Sequence, residues 1–343
     1  MEEKIVWLSP EERPFEISGF AWFEKEKIYR RLPAKSVYKI PEAVNNLADN
    51  TAGGVIRFRT DSKTLHIHVR LRQIVNMPHM PATGHSGFDC YIGGVRKEIY
   101  ISTAIPDVKS REYKKKFFQF DEKKTRSITL YFPLYNGVDE VLIGIEAGAR
   151  VFSPEKFSFK GRIVVYGTSI TQGGCASRPG MCYTNILSRW LGAEFINLGF
   201  SGSGKGEPEL AHLITMISGV RCIVLDYQAN AGVETYISTL PGFLEILRGR
   251  FKIIPIIIIS RPAVSMWAFD SKSKEAWMKG YKFQEKLVNR IRKLGDKNIF
   301  SFCGYKLFKK MWQESTVDGG HPTDLGFFTM TNGLYPILKK VLK

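Results

Sequence analysis

The segment from Ile163 to Thr171 reads IVVYGTSIT, a largely apolar run that ends in glycine, threonine and serine. Continuous apolar runs bounded by turn residues are typical of strands buried on both faces, as in parallel sheets. Four similar runs follow along the chain, at Phe195–Leu198, Cys222–Leu225, Ile253–Ile259 and Ile299–Phe302. The pattern therefore predicts a five-stranded parallel sheet in the second half of the chain.

Segments of helical character lie between these runs and after the last of them. They are Tyr183–Leu191, Pro208–Ile217, Glu234–Leu247, Lys274–Leu294 and Leu325–Leu342. Strict alternation of strands and helices indicates a parallel sheet covered by helices, and such sheets bind ligands at the carboxyl ends of their strands. We therefore expect the functional loops to follow the apolar runs.

The first half of the chain has the periodicity of half-buried strands instead. Over Leu65–Leu71, apolar and polar residues alternate with a period of two, which indicates one buried and one solvated face. Similar short runs occur at Phe88–Ile92, Val95–Ile101, Ile128–Phe132 and Val141–Ile145, separated by turn residues. Short strands without intervening helices predict an antiparallel β-sandwich of the jelly-roll type.

The pattern changes near Phe152-Ser153-Pro154. A chain of 343 residues is about twice the usual length of one domain, so two hydrophobic cores are expected. We predict a β-sandwich domain over residues 1–153 and an α/β domain over residues 154–343.

The chain carries 50 Lys and Arg residues against 33 Asp and Glu residues, a formal net charge of +17. The basic residues are scattered through every segment, with local clusters at Lys114–Lys116 and Lys123–Lys124. Because nucleic-acid-binding proteins concentrate such residues in a patch or stripe, we predict no nucleic-acid partner. The charge is compatible with an acidic or phosphorylated substrate or partner, and net charge alone does not choose between them.

The N-terminus, Met1–Trp7, contains acidic residues where a secretory signal carries positive charge, and no apolar run follows it. The best apolar run, Ile253–Ile259, is far shorter than the roughly 18 residues of a membrane-spanning helix and contains Pro255. These features predict a cytoplasmic protein with no membrane partner. Five cysteines without metal-ligand spacing predict reduced, mostly buried thiols.

The first apolar run ends at a candidate nucleophile. Ser169 follows Gly167 at the carboxyl end of the predicted strand, and a serine hydroxyl needs a base to remove its proton. His321 is the candidate base, because Asp318 stands in the same short loop, Asp318-Gly319-Gly320-His321-Pro322. At that spacing the carboxylate can orient the imidazole and stabilise its charged form.

An acyl-transfer site also needs hydrogen-bond donors directed at the developing oxyanion. Gly202 follows the second strand and offers its backbone N–H, while Asn230 follows the third strand and offers its side-chain amide. The backbone N–H of Ser169 would be the third donor.

Four sequence blocks occur in a fixed order along the chain: Gly167–Thr171, Gly202 in its loop, Asn230 after the third strand, and Asp318–Pro322. On these blocks, the second half of the chain resembles the SGNH (GDSL-like) hydrolases. The segment Gly87-Phe88-Asp89-Cys90-Tyr91 also matches, except at Cys90, the GxDLY signature of a sandwich domain that precedes the hydrolase in a bacterial subgroup.

The resemblance implies a flavodoxin-like α/β/α hydrolase domain. It implies esterase, acyltransferase or carbohydrate-deacetylase chemistry without a metal or other cofactor. It also implies a catalytic triad of Ser169, His321 and Asp318. In that family pattern, Gly202 and Asn230 line the oxyanion hole together with Ser169.

Further side chains are candidates for substrate binding: Thr168, Arg178, Trp267, Asp89 and Tyr91. Thr168 replaces the aspartate of the commonest first block of the family, and Trp267, after the fourth strand, is placed to wall the pocket. Asp89 and Tyr91 follow a loop rich in Pro, Gly and His. We interpret this loop either as a surface loop or as one that reaches across the domain interface to narrow the pocket.

Three alternatives remain open. Gly199–Lys205 fits the start of a phosphate-binding loop, although Gly206 stands where a hydroxyl should reach Mg²⁺. The second alternative is an acyltransferase with a small-molecule acceptor. The third is a non-catalytic carbohydrate-binding module. The favoured hypothesis is a serine esterase that acts on small acyl esters, above all acetyl esters of a small molecule or oligosaccharide. The hypothesis leaves room for a homo-oligomer.

Overall fold

The computed structural model describes residues 4–308, 311 and 313–342. By backbone contacts the chain divides into two compact units. The first unit consists of the chain up to Ala34 together with Ala48–Lys160 and Ala176–Glu194. The second consists of Lys35–Leu47, Gly161–Cys175 and the chain from Phe195 onward. The domains predicted from the sequence, 1–153 and 154–343, remain a prediction.

The first unit is built mainly of strands. They are β1 (Ile5–Leu8), β2 (Glu16–Ser18), β3 (Val55–Thr60), β4 (Thr64–Leu71), β5 (Phe88–Ile92), β6 (Ile99–Ala104), β7 (Glu112–Gln119), β8 (Arg126–Tyr131), β9 (Val138–Glu146) and β10 (Val151–Phe152). One sheet has the order β1-β9-β4-β7, and the other has the order β10-β3-β8-β5-β6, with β2 paired to β3. Neighbouring strands pair antiparallel in both sheets.

Both sheets of the first unit face one hydrophobic core. Phe58 on β3 and Phe88 on β5 come from one sheet, and Ile67 on β4 and Ile143 on β9 come from the other, all fully buried in the same cluster. Along β4, the apolar residues of Leu65–Leu71 are buried while the residues between them are partly or fully exposed. The period of two therefore marks the buried face, and the predicted antiparallel sandwich is confirmed.

The first unit also contains two short helices, α1 (Phe23–Glu26) and α3 (Ala82–His85), whereas α2 (Glu42–Leu47) belongs to the second unit. From residue 162 onward, strands and helices alternate. The strands are β11 (Arg162–Gly167), β12 (Glu194–Gly199), β13 (Val220–Asp226), β14 (Ile256–Ile259) and β15 (Ile299–Phe302). The helices are α4 (Ser169–Gln172), α5 (Tyr183–Leu191), α6 (Pro208–Thr215), α7 (Gln228–Arg250), α8 (Ser271–Lys293) and α9 (Asp324–Val341).

The strands β11 to β15 form a five-stranded parallel sheet of order β12-β11-β13-β14-β15, as predicted. This is the 2-1-3-4-5 order of flavodoxin-like folds, in which ligands bind where the strand order reverses, beside the carboxyl end of the first strand. The loops after β11, β12 and β13 meet at that position. The described helices include none long and apolar enough to cross a membrane.

Several element boundaries differ from those predicted. The strand predicted over Ile253–Ile259 begins only at Ile256, since Pro255 lacks the N–H that a central strand needs. The strand predicted over Val95–Ile101 lies at Ile99–Ala104, because Arg96 adopts a left-handed conformation (φ 68°) in the preceding turn. Helix α7 begins at Gln228, six residues before the predicted start at Glu234. Gly232 has non-helical backbone angles, so the helical pattern in the sequence does not extend to the first turn.

Candidate active site

Ser169 sits at the junction between β11 and α4. Thr168 has an extended conformation and caps α4, and its hydroxyl accepts a hydrogen bond from the Ile170 N–H at 3.2 Å. The turn is tight: a Cβ on Gly167 would lie 2.1 Å from the Thr171 hydroxyl oxygen, so the position requires glycine. The strand thus delivers a buried Ser169, 7% exposed, to the carboxyl edge of the sheet.

The structure brings Ser169 and His321 together although 152 positions separate them in sequence. Ser169 Oγ lies 2.8 Å from His321 Nε2, and His321 Nδ1 lies 2.7 Å from Asp318 Oδ2. The other oxygen of Asp318 accepts hydrogen bonds from the backbone N–H groups of Gly320 and His321, at 3.0 and 2.8 Å. One carboxylate therefore orders both the loop and the imidazole.

The hydrogen bonds at Asp318 decide its charge. Partial burial raises its pKa, but the backbone N–H and imidazole of His321 and the N–H of Gly320 outweigh that effect and lower the pKa to about 2. Asp318 is therefore ionised at neutral pH and only accepts hydrogen bonds, so Nδ1 of His321 is the donor. In a neutral imidazole this leaves Nε2 as the acceptor for the Ser169 hydroxyl.

Of the two oxyanion candidates outside α4, Asn230 has its side-chain amide bound to backbone carbonyls. Asn230 Nδ2 donates to the carbonyl of Phe200 at 2.9 Å and to the carbonyl of Ser203. Gly202 lies between these two residues with a left-handed backbone (φ 63°). The amide of Asn230 thus holds the loop that contains Gly202. That Gly202 and Asn230 donate hydrogen bonds to an oxyanion remains a prediction.

Two cavities open beside the candidate triad. The smaller has a volume of about 140 Å³, and Ser169, His321, Thr168 and Asn230 are among its lining residues. The larger has a volume of about 680 Å³, within the usual range for ligand sites. Its lining includes Trp267, Trp277, Phe269, Asp318 and His321. Thr168 and Trp267 therefore lie where a substrate would contact them, although contact itself remains a prediction.

Asp89, Tyr91 and Arg178 form a separate buried cluster in the first unit. The carboxylate of Asp89 accepts hydrogen bonds from Arg178 at 2.9 Å, from the Gly180 N–H at 2.6 Å and from the Thr103 hydroxyl at 2.6 Å. Arg178 also donates to the Tyr91 hydroxyl at 2.6 Å. These side chains bind one another, so their predicted role in substrate binding remains a prediction.

Sequence reasoning missed buried polar residues that support the nucleophile. Asn197 donates from Nδ2 to the Thr171 carbonyl at 2.7 Å and accepts at Oδ1 from the Gly199 N–H at 2.9 Å. Asp226, at the end of β13, accepts from the Thr171 hydroxyl at 3.2 Å. The available signal was a polar residue inside the apolar run of β12, since a buried amide needs partners.

The phosphate-loop alternative loses support from the same region. The N–H of Lys205 donates to both carboxylate oxygens of Glu207, at 2.9 Å each, and the N–H of Gly206 donates to the Tyr166 hydroxyl at 2.9 Å. Both N–H groups that would cradle a phosphate are thus occupied by the protein's own side chains.

An antiparallel sandwich together with a 2-1-3-4-5 parallel sheet, whose first strand delivers a buried serine, is the architecture of the SGNH class of hydrolases. The chain belongs to the GDSL-like lipase/acylhydrolase family, whose model matches residues 160–339. Residues 5–151 match the model of the GxDLY domain, the N-terminus of SGNH-hydrolase-type esterases. The resemblance inferred from the four sequence blocks is thereby confirmed.

Solved structures agree with this assignment. A GDSL-like lipase from Bacteroides ovatus matches with a TM-score of 0.91 and 30% identity, covering 99% of this chain and 98% of the other. A salicylyl-acyltransferase from a tetracycline biosynthetic pathway matches with a TM-score of 0.81 and 19% identity, covering 98% and 97%. A family two carbohydrate esterase from Cellvibrio japonicus matches with a TM-score of 0.61 and 13% identity, covering 99% and 98%. At the two lower identities the similarity concerns the fold alone. No functionally curated protein matches the chain in sequence.

Proposed function

We propose that this protein is a serine esterase that removes small acyl groups, above all acetyl, from a carbohydrate. The observation that carries the proposal is the unbroken hydrogen-bonded series from Ser169 Oγ to His321 Nε2 at 2.8 Å and from His321 Nδ1 to Asp318 Oδ2 at 2.7 Å. Nucleophile, base and orienting carboxylate in this order are the requirement for nucleophilic catalysis by serine.

In the proposed reaction, Ser169 Oγ forms a bond to the ester carbonyl carbon while its proton passes to His321 Nε2. Backbone and amide donors at Ser169, Gly202 and Asn230 stabilise the oxyanion, the last after its amide turns away from the loop carbonyls. The bond to the alcohol oxygen then breaks, and that oxygen takes the proton from Nε2. Water attacks the acyl-enzyme by the same route, which releases the acid and returns the proton to Ser169.

The cavity sizes favour a short acyl group and a larger alcohol. The cavity at Ser169, with a volume of about 140 Å³, is the smaller of the two, which favours a short acyl group there. The cavity of about 680 Å³ has flat aromatic walls, Trp267 and Trp277, of the kind that pack against the apolar face of a sugar ring. Structural similarity to carbohydrate esterases supports the same choice.

The test is acetate release from a panel of acetylated sugars. Ser169→Ala should lower kcat by at least about 10⁴-fold, because the variant lacks the hydroxyl that lies 2.8 Å from Nε2 of His321. Ser238→Ala is the matched control, since Ser238 is an exposed serine on α7 whose hydroxyl bonds only to the Thr235 carbonyl of its own helix. Full activity of Ser169→Ala would refute the proposal.

Acyl transfer is the second candidate. The similarity to the salicylyl-acyltransferase over nearly the whole chain favours it, together with the apolar, aromatic lining of the larger cavity. If it holds, an added acceptor alcohol should raise turnover of a p-nitrophenyl ester and divert acyl groups from acid into a new ester. Acid as the sole product at saturating acceptor would eliminate it.

A further inference from the structure

Arg261 is a cation without a counter-ion in the described part of the chain. It follows β14, and its backbone N–H is fixed by the Gln228 side-chain oxygen at 2.7 Å. Its guanidinium stacks on the ring of Trp277 at 4.1 Å and approaches the ring of Trp267 at 5.7 Å. Among the described residues, no carboxylate and no hydrogen-bond acceptor meets this guanidinium.

The position of Arg261 relates it to the candidate chemistry. Arg261 lines both the small cavity at Ser169 and the larger aromatic cavity. Asp318 is the one carboxylate among the described lining residues, and its oxygens are engaged by His321 and Gly320. The two cavities therefore share a positive charge that forms no ion pair among the described residues, and the ionised Asp318 is the one negative charge in the described lining.

The surroundings of Arg261 favour an incoming anion. Burial lowers its pKa, which means that the guanidinium is incompletely solvated, yet an arginine remains charged at neutral pH. A cation in this state gains most from a bidentate carboxylate, whose two oxygens match the guanidinium fork.

Trp267 supplies an aromatic face to the same cavity. Its indole N–H is buried and has no hydrogen-bond acceptor among the described residues, so it is not exposed to the cavity as a donor. The guanidinium of Arg261 is therefore the charged donor that borders the aromatic wall.

We propose that the ester substrate carries a carboxylate, which the Arg261 guanidinium binds while the aromatic walls hold the adjoining ring or chain. The substrate class is then an acylated acidic sugar or the half-ester of a dicarboxylic acid. The excess of basic residues, a net charge of +17, would draw such an anion toward the protein. This inference rests on the proposed esterase function.

The carboxylate can belong either to the alcohol part or to the acyl part of the substrate, because Arg261 borders both cavities. In the first arm of the test it lies on the alcohol, and an acetylated methyl glucuronoside is compared with its neutral uronamide. In the second arm it lies on the acyl group, and p-nitrophenyl hemisuccinate is compared with the corresponding succinamate. In one arm the wild type should prefer the acid over the amide by about tenfold or more in kcat/KM.

Arg261→Gln should reduce this preference to nearly 1, mainly by raising KM for the acid. Arg261→Lys keeps the charge but lacks the planar, bidentate guanidinium, so it should show an intermediate preference. Arg290→Gln is the matched control, since it removes the same charge from an exposed position on α8 and should leave the preference unchanged. Thermal melts show whether each variant is folded.

A binding measurement separates recognition from chemistry. Calorimetric titration of Ser169→Ala with glucuronate, succinate and their amides should show tighter binding of one acid, which Arg261→Gln in the same background abolishes. An equal preference for acid and amide in both arms overturns the inference while Ser169-dependent hydrolysis leaves the proposed function standing. Equal loss on acids and amides in a folded Arg261→Gln would assign Arg261 a purely structural role. Absence of any Ser169-dependent hydrolysis would instead refute the proposed function.

Discussion

Asp318 and Asp89 lie in different surroundings, and these shift the pKa values of the two carboxyl groups in opposite directions. Asp318 in the second unit has a side chain that is 43% exposed and holds an imidazole, and its pKa is lowered to about 2. Asp89 in the first unit is fully buried against Arg178, and desolvation raises its pKa although Arg178, Thr103 and Gly180 act in the opposite direction. Asp318 is therefore a charged, partly exposed carboxylate that can act on the imidazole of His321. Asp89 only accepts hydrogen bonds from neighbouring groups inside the first unit.

The largest effect on activity is expected from replacing His321, the hydrogen-bond partner of Asp318. His321→Ala should lower kcat on p-nitrophenyl acetate by about 10⁴-fold or more, because Ser169 loses its base. The melting temperature should change little, since the side chain of His321 is partly exposed. His68→Gln serves as the control, because His68 lies on the sandwich strand β4 and pairs with Glu112 on β7. Comparable activity losses in both variants would mean that the base is elsewhere.

The second-largest fall in kcat is expected for Asp318→Asn. The amide cannot favour the Nδ1–H tautomer as the carboxylate does, so kcat should fall by about 10³- to 10⁴-fold. KM should stay near the wild-type value, because the change acts on the reaction rather than on uniform binding. A rise in KM at unchanged kcat would assign Asp318 to substrate binding instead.

Asp89→Asn should act on stability rather than on chemistry. The amide places an N–H group against Arg178, Gly180 and Thr103, whose donors the buried carboxylate accepts, so the free energy of unfolding should fall by about 1–3 kcal/mol. Urea unfolding measures this change, and kcat per folded molecule should remain within a few-fold of wild type. If Asp89 binds substrate instead, KM would rise while the unfolding free energy stays unchanged, and the contrast with Asp318 would fail.

The smallest effect is the pH dependence of stability, and the two aspartates should give opposite signs. The folded-state pKa of Asp318 is about 2, below the unfolded value of about 3.9, so its stabilising contribution is present above pH 4 and is lost as the pH falls toward 2. The folded-state pKa of Asp89 is raised, so its contribution grows as the pH falls through that value.

Denaturant melts of wild type, Asp318→Asn and Asp89→Asn between pH 2 and 7 measure these contributions. The gap between wild type and Asp318→Asn should be constant above about pH 5 and should narrow below pH 4. A gap that widens in acid would show that Asp318 is not ionised in the folded protein.

Much of the fold was predictable because it follows from local periodicity. Strand β15 and helix α5 were predicted to the residue, and the period of two over Leu65–Leu71 located the buried face of β4. The strands β1, β2, β3, β7 and β10 were not identified as separate strands, because they are short or contain charged residues that interrupt the pattern. Their place in the sheets depends on strand pairing, which sequence spacing does not express.

The site divides in the same way. Asp318 and His321 stand three positions apart, so local geometry alone could relate the carboxylate to the imidazole. Ser169 stands two positions after Gly167 at the end of an apolar strand, which pointed to a nucleophile. The joining of Ser169 to His321 across 152 positions depended on the parallel order of β11 and its neighbours. Tertiary structure alone decided that Asn230 clamps a loop, that Asp89 is buried and that Arg261 has no counter-ion in the described part of the chain. The reason is physical: periodicity and turn chemistry act over a few residues, whereas burial, pKa and charge pairing depend on which distant segments pack together.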